Sequence, residues 1–189
     1  MELEELEEML NEKRLTEIKQ EFNEMNEYDI ASLIEELPDN LLAQAFRLLP
    51  KDIATEVFIN LDEEVEVKLI SALSSTEATN IIEDMYTDDA ADLFDEMPAS
   101  MVNKLLSNVS KETRTSINKL LRYPENSAGS LMAMEYIHLK KGINIKEALE
   151  RIRAQKDELV SYDSCFVTDR ERKLLGYIEA KDLLINEPE

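Results

Sequence analysis

The repeat that decides the fold is plainest in residues 81–97, IIEDMYTDDAADLFDEM. The apolar positions Ile81, Ile82 and Met85 return twelve residues later as Leu93, Phe94 and Met97. The same three registers extend in both directions, and the third of them fails only at Asn118. Their members are Leu37, Leu49, Leu61, Leu73, Met85, Met97, Val109 and Leu121; Leu33, Ala45, Val57, Leu69, Ile81, Leu93, Leu105 and Ile117; and Ile34, Phe46, Phe58, Ile70, Ile82, Phe94 and Leu106.

A twelve-residue period requires a chain break in every repeat. Twelve residues of one straight α-helix rotate the apolar face by about 120°, so a continuous helix could not keep these positions on one side. Residues that end helices or cap helix N-termini follow closely after the members of the first register. They are Pro38-Asp39, Pro50-Lys51-Asp52, Asp62, Ser74-Ser75, Thr87, Pro98 and Ser110. The pattern therefore predicts helices of about eight residues that are stable only when stacked, as a superhelical solenoid.

The charge of the chain is strongly and unevenly negative. The sequence of 189 residues carries 42 acidic and 21 basic residues, and residues 1–122 alone hold 29 acidic and 11 basic ones. Such a surface argues against nucleic acid and anionic membranes as partners and favours cations or basic surfaces. The single cysteine, Cys165, excludes an internal disulfide and suits the cytoplasm, and no run of residues is apolar enough for a membrane span. We therefore expect a soluble chain.

The composition and the apolar pattern of the chain change near residue 123. The twelve-residue repeat ends there, and all three glycines lie in the last third of the chain. Turn formers fill 123–132, which we predict to be a linker between an acidic superhelical domain (1–122) and a smaller domain (133–189). In that domain the pattern predicts strands over 135–139, 165–168 and 174–178, a helix over 144–154 with a capping box at Asn144 and Glu147, and a final helix from Lys181. The expected order is βαββα. The whole chain is thus predicted to be mainly α with a small α+β unit.

The acidic run between Lys68 and Lys104 is the candidate functional feature, since this interval contains no basic residue. In a helix that begins at Thr87, Asp88 and Asp92 share a face at i and i+4, and Asp92 and Asp95 at i and i+3. Oxygen ligands without His or Cys favour Mg²⁺ or Ca²⁺ over Zn²⁺. The alternative for Asp88 and Asp89 is that acids in a first turn complement the helix dipole without any ligand.

Two segments carry a resemblance to a known family. Residues 166–183, FVTDRERKLLGYIEAKDL, are similar to the second half of a CBS motif, and 123–132 read YPENSAGSLM. Together with the acidic helical repeats before them, these segments resemble the cytosolic region of MgtE-type magnesium transporters and channels over essentially the whole chain. In that family a second CBS motif and a transmembrane bundle follow, so the resemblance implies that this chain is a soluble regulatory fragment at the cytoplasmic face of the membrane.

The resemblance also implies a mechanism and a ligand set. In the family, Mg²⁺ ions fill the gap between acidic residues of the helical domain and those of the CBS domains. At low Mg²⁺ concentration the two sets of carboxylates repel each other and the pore opens. At high Mg²⁺ concentration the ions bridge the two domains and the pore closes. Matching the family segments to 54–58, 87–93 and 127–132 gives the implied ligands, with two further candidates from the acidic run. These residues are Asp88, Asp92, Glu56 and the backbone carbonyl of Ser130, with Asp89 and Asp95 as the further candidates.

The resemblance implies further partners for the chain, and two alternative functions remain open. The family suggests a homodimer through the CBS motifs and contact with the protein's own transmembrane domain, and CBS pairs in many proteins bind ATP or related adenine nucleotides. The sequence has no phosphate-cradling glycine loop and no nucleophile constellation, so we expect no enzyme. The alternatives are a protein-interaction scaffold, because the repeats also resemble a flagellar motor switch subunit, and an adenine-nucleotide-binding CBS module.

Overall fold

The computed structural model describes residues 1–124, 126–155 and 163–187. It divides into two compact units, Met1–Ser130 and Leu131–Glu189. The first unit is entirely helical in its described part, and the second combines two helices with a three-stranded sheet. No helix in the described ranges is both long and apolar enough to cross a bilayer.

Ten short helices build the first unit. Seven of them follow the predicted twelve-residue period, with the breaks near the predicted turn residues. The helices are α1 (Leu3–Asn11), α2 (Leu15–Glu24), α3 (Glu27–Glu35), α4 (Asp39–Phe46), α5 (Ala54–Ile59), α6 (Glu63–Ala72), α7 (Ser75–Asp84), α8 (Thr87–Asp95), α9 (Ala99–Asn108) and α10 (Lys111–Leu120).

Alternate helices pack against each other and form two layers. Helices α3, α5, α7 and α9 contact one another in sequence, and so do α4, α6, α8 and α10. The apolar registers form the core between these helices: Val57 and Phe58 are fully buried, and their equivalents Ile81 and Ile82 lie in the same cluster. One structural repeat is therefore a pair of helices, which is two of the twelve-residue units. The predicted mainly α superhelical fold is confirmed.

The N-terminal stretch is rich in acidic residues but also contributes to the core. It forms two helices, α1 and α2, and buries Leu6, Leu10, Ile18 and Phe22 in the main core. The acidic residues occupy the solvent face of both helices. The apolar faces close the open end of the solenoid, because a terminal repeat would otherwise expose its core to water.

Carboxylates of one helix also cap a later helix in the stack. The Glu35 carboxylate accepts a hydrogen bond from the Asp62 backbone N–H at 2.7 Å, at the start of α6. Two helix pairs later, Glu83 accepts from the backbone N–H of Ser110 and, at 2.6 Å, from the Thr113 hydroxyl at the start of α10. These bonds satisfy donors that a helix N-terminus leaves open and join neighbouring repeats.

The second unit has the order β1 (Ile137–Lys140), α11 (Ile145–Ala154), β2 (Ser164–Thr168), β3 (Leu174–Glu179) and α12 (Ala180–Ile185). Strand β2 is central, parallel to β1 and antiparallel to β3. Asn144 caps α11 by accepting from the Glu147 backbone N–H at 2.9 Å. The predicted βαββα order is therefore confirmed, with strand ends moved by one or two residues. The structure divides into its two units after Ser130. The predicted linker limits at residues 122 and 132 remain predictions.

The core of this unit is small, and several of its large apolar side chains are exposed. Ile137, Leu139 and Cys165 are buried between the sheet and the helices. In contrast, large apolar side chains on β3 and α12 are 50–76% exposed. These residues are Leu174, Leu175, Tyr177, Leu184 and Ile185. A folded unit gains stability when such a surface is covered by a partner.

Candidate metal-binding site

Helix α8 presents two faces of opposite character. Ala90, Leu93 and Phe94 are buried in the core, so the helix is fixed by its apolar side. Asp88 and Asp89 lie in its first turn, where negative charge interacts favourably with the helix dipole. Asp92 and Asp95 continue the same surface beyond the first turn. The structure thus places all four predicted aspartates on one short helix.

Helix α6 brings two further carboxylates to this surface. It packs against α8 within the same layer, and its first turn carries Glu63 and Glu66. Glu66 is buried, with 9% of its surface exposed. We call the set Glu63, Glu66, Asp88, Asp89, Asp92 and Asp95 the acidic cluster.

Electrostatic shifts show that members of the acidic cluster interact. Burial raises the pKa of Glu66 to about 7, and the negative charges of Asp89 and Glu63 add to the effect. Partial desolvation also raises the pKa of Asp92, together with the charges of Asp88, Asp95 and Glu63. Each of these carboxyl groups therefore holds its proton more tightly than a solvated one, because burial and neighbouring negative charge both disfavour the ionised form.

One oxygen in the acidic cluster is left without a hydrogen bond. Asp88 Oδ1 is buried and has no donor within the part of the chain that the structure describes. A buried carboxylate oxygen without a donor costs free energy, and a bound cation relieves that cost. A carboxylate oxygen is a hard ligand, which is the kind of ligand that Mg²⁺ and Ca²⁺ prefer.

The other two predicted ligands lie elsewhere in the first unit. Glu56 is exposed on α5, which belongs to the odd-numbered layer and packs against α3 and α7. Ser130 ends a turn in which its backbone N–H donates to the Ser127 carbonyl at 3.2 Å. Among the described residues no group of three or more His, Cys, Asp or Glu side chains is placed so that it could hold a metal ion. The structure therefore brings the aspartates of α8 together and leaves Glu56 in the other layer.

The turn before Ser130 is tightly constrained. A Cβ on Gly129 would lie 2.3 Å from the Tyr123 ring, so only glycine fits against this ring. The Ser130 hydroxyl donates to the Ser127 carbonyl at 2.9 Å. These contacts fix the backbone that carries the predicted carbonyl ligand.

Sequence reasoning missed Glu63 and Glu66, although the repeat contains a signal for them. Glu66 precedes Asp89 by 23 residues, close to the 24 residues of one helix pair. Residues one pair apart lie on successive helices of the same layer. Applying that spacing to Asp88 and Asp89 would have pointed to the first half of α6, but the structure is needed to show that Glu63 and Glu66 are the residues involved.

Comparisons with known proteins agree with this architecture. The family model described as the MgtE intracellular N domain matches residues 25–126. Magnesium transporter MgtE of Thermus thermophilus is 28% identical over 85 residues, and its Bacillus subtilis counterpart is 25% identical over 84 residues. These matches cover 45% and 44% of this chain but only 19% of each relative. The matched stretch thus spans about a fifth of the relatives' length.

Two solved structures are similar over nearly the whole chain. The soluble part of a magnesium transporter has a TM-score of 0.84 at 25% identity, covering 100% of this chain and 76% of the other. The cytosolic domain of the Mg²⁺ channel MgtE, solved in complex with ATP, has a TM-score of 0.91 at 26% identity, covering 99% and 77%. The similarity therefore includes both the helical unit and the βαββα unit.

Proposed function

Because the chain belongs to the family of the MgtE intracellular N domain, we propose that it senses cytosolic Mg²⁺ and sets the gating of a magnesium-conducting pore. The observation that carries the proposal is the acidic cluster, with its buried Asp88 oxygen that has no donor in the described chain. Relatives named as magnesium transporters support the choice of ion.

In this proposal Asp88 and Asp92 hold an ion, with Asp89 and Asp95 beside them. Glu56 in the other helix layer and the Ser130 carbonyl are candidate ligands away from this cluster. When bound, Mg²⁺ supplies the positive charge that offsets carboxylate repulsion. Without it, Asp88, Asp92 and Glu63 repel one another, as the raised pKa of Asp92 indicates. The state that binds the ion better is favoured as its concentration rises, and we propose that this state keeps the pore closed.

Thermal unfolding in a Mg²⁺ series, against NaCl at matched ionic strength, tests the metal site. Screening stabilises any highly acidic chain, so only the excess over the NaCl series counts. We expect Mg²⁺ to raise the midpoint beyond the NaCl series in the wild type, and the double variant Asp88→Asn, Asp92→Asn to lose this excess. Ca²⁺ in a parallel series tests the selectivity.

A matched control is available on another helix. Glu4 and Glu5 lie exposed in the first turn of α1, so Glu4→Gln with Glu5→Gln removes the same charge from a similar position. This control should keep the full Mg²⁺ excess. Equal losses in both double variants would show that Mg²⁺ acts through total charge, and the acidic cluster would then not be a metal site.

We further propose that the chain works at the cytoplasmic face of the membrane, joined to its own transmembrane domain, as a homodimer through its CBS-type units. The exposed apolar residues of β3 and α12, including Leu175 and Ile185, support an association through this surface. Sedimentation of the chain and of a Leu175→Ser, Tyr177→Ser variant tests it. A monomer at all concentrations would contradict the dimer. Because the relatives are transporters, the proposal contains no catalytic step.

ATP binding is a second candidate function, because a structurally similar cytosolic domain was solved with ATP. Isothermal titration of the chain with ATP, with adenosine as the phosphate-free control, tests it. Heat that saturates with ATP supports nucleotide binding, whereas an ATP titration equal to buffer dilution would argue against it.

A further inference from the structure

A cavity opens in the helical unit beside helices α5 and α7. Its volume is about 450 Å³, which lies within the range of small-molecule sites. Its lining comes from the ends of α4 and α6, from the connection between α4 and α5, and from α5 and α7 themselves. We call it the α5–α7 cavity. Among its described lining residues none belongs to the acidic cluster, so it is separate from the proposed magnesium site.

An irregularity of the repeat leaves room for this cavity. The connection between α4 and α5 runs over 47–53 and has seven residues, whereas the other connections between helices of the first unit have two or three. Helix α5 has six residues and is the shortest helix of that unit. A shorter helix covers less of its neighbour α7, because each residue adds only about 1.5 Å of length. The cavity therefore lies where one helix of the stack is incomplete.

The floor of the α5–α7 cavity is apolar. Its large apolar side chains are Phe46, Leu49, Leu73 and Ile81. Three of them, Phe46, Leu49 and Ile81, belong to the main core of the unit. An apolar group in the cavity would remove the remaining surface of these side chains from water, which is favourable in proportion to the area covered. The floor therefore favours a ligand with an apolar portion.

Three charged residues of the lining are held by bonds within the protein. The Arg47 guanidinium donates two hydrogen bonds to the Glu77 carboxylate, at 2.7 and 3.1 Å. The Glu83 carboxylate accepts from Ser110 and Thr113. These bonds fix the wall of the cavity and use the main hydrogen-bonding capacity of the three side chains.

Two charged residues of opposite sign remain in the lining. Lys51 lies on the connection between α4 and α5, and Asp84 ends α7. They lie beyond ion-pair distance of each other, and neither forms an ion pair with another described residue. The last turn of α7 has no basic residue, so the negative end of the helix dipole acts together with the Asp84 carboxylate. The α5–α7 cavity thus combines an apolar floor with one cation and one anion that lack partners in the described chain.

We propose that the α5–α7 cavity binds a free amino acid with an apolar side chain. The ligand's ammonium group pairs with Asp84, its carboxylate pairs with Lys51, and its side chain packs on the apolar floor. The flexible four-carbon stem of Lys51 lets its ammonium group reach the ligand's carboxylate. A ligand with a single charge leaves Lys51 or Asp84 unpaired, so charge complementarity favours the zwitterion. The proposal goes beyond magnesium sensing and does not depend on it.

Calorimetric titration with L-leucine tests the proposal, together with three matched compounds. Glycine lacks the apolar side chain, leucinamide lacks the carboxylate, and N-acetyl-leucine lacks the ammonium group. We expect saturable binding of leucine and binding about tenfold weaker for each matched compound, because each of them loses one of the three interactions. Binding of leucinamide or N-acetyl-leucine as tight as that of leucine would indicate the end of a peptide as the occupant and overturn the proposal.

Charge-removing variants assign the two ends of the ligand. Asp84→Asn should weaken leucine binding by about tenfold, and Lys51→Gln by about threefold because the exposed lysine is well solvated. Asp52→Asn and Lys104→Gln remove the same charges from exposed positions outside the cavity, so both should bind leucine as the wild type does. Equal weakening by Asp84→Asn and Asp52→Asn would show a general effect of charge and contradict the role of Asp84.

A cavity-filling variant provides a second test that does not change the charge. Thr55 lies half-buried on α5 and lines the cavity, so Thr55→Phe puts an aromatic ring into the space of the ligand. This variant should lose leucine binding and keep the melting temperature of the wild type or exceed it, because the ring fills an open space. The proposal is overturned if leucine binding persists in Thr55→Phe, or if the wild type shows no saturable binding of leucine.

Discussion

Replacing Glu66 by glutamine should make the helical unit more stable at pH 8 than at pH 5, relative to the wild type. Glu66 is buried beside Asp89, and its pKa in the folded chain is about 7 against an ordinary value near 4.5. Between these two values the unfolded chain has already lost the Glu66 proton, whereas the folded chain retains it. The free energy of unfolding therefore falls as the pH rises through this window.

The size of the effect follows from the width of that window. Each pH unit corresponds to about 1.4 kcal/mol, so the full difference between the two pKa values gives at most about 3 kcal/mol. Water that reaches the rim of the acidic cluster screens part of it, which leaves about 1–2 kcal/mol. Glutamine keeps the size of the protonated acid and cannot ionise, so the Glu66→Gln variant avoids this loss.

Urea unfolding followed by helical circular dichroism at pH 5 and pH 8 measures the effect. The stability gain of Glu66→Gln over the wild type should be larger at pH 8 by about 1 kcal/mol. Glu21→Gln, in the exposed middle of α2, should show the same difference at both pH values. An equal gain from Glu66→Gln at the two pH values would refute the argument that Glu66 is protonated by burial and neighbouring charge.

Three further predictions concern the stacking and capping of the helices. Phe58→Ala should destabilise the first unit by about 3–5 kcal/mol because Phe58 is fully buried, whereas Tyr28→Ala, at a residue of the same unit that is 62% exposed, should change urea stability by about 0.5 kcal/mol or less. Ser74→Ala should cost about 1 kcal/mol, because Ser74 and Glu77 form a reciprocal capping box at α7. Hydrogen bonds from Arg47 and Ser74 lower the pKa of Glu77 to about 2, so its stabilisation is present above pH 4.5 and is lost as the pH falls toward 2. Glu77→Gln should therefore flatten the acid limb of the stability curve, and an unchanged limb would contradict this assignment.

Local physics explains why most of the helix and strand positions could be predicted. Ser74 and Ser110 cap the helices that follow them with side-chain hydrogen bonds, and Pro38 stands at the N-cap position of α4. Such helix starts depend on only a few neighbouring residues. The break after Pro50 is the exception, because α5 begins only at Ala54 with Ile53 before it. There the chain completes one turn before the helix starts, and the sequence pattern contains no signal for that delay.

The candidate site was only partly predictable, for a geometric reason. Asp88 and Asp92 share a face because they lie four residues apart on one helix, and helical periodicity is enough to predict this. The contribution of Glu63 and Glu66 depends on which helices are neighbours, and the burial of Glu66 depends on the packing of α6 on α8.

The sequence by itself determined the twelve-residue repeat, the short helices, the βαββα order and the excess of negative charge, because each follows from local spacing or composition. Only the tertiary structure decided that alternate helices form layers, so that α8 meets α6 and Glu56 stays in the other layer. It also decided which charges lose water, since desolvation depends on neighbours in space. The chain encodes both kinds of information, but the second becomes visible only when residues far apart in sequence are brought into contact.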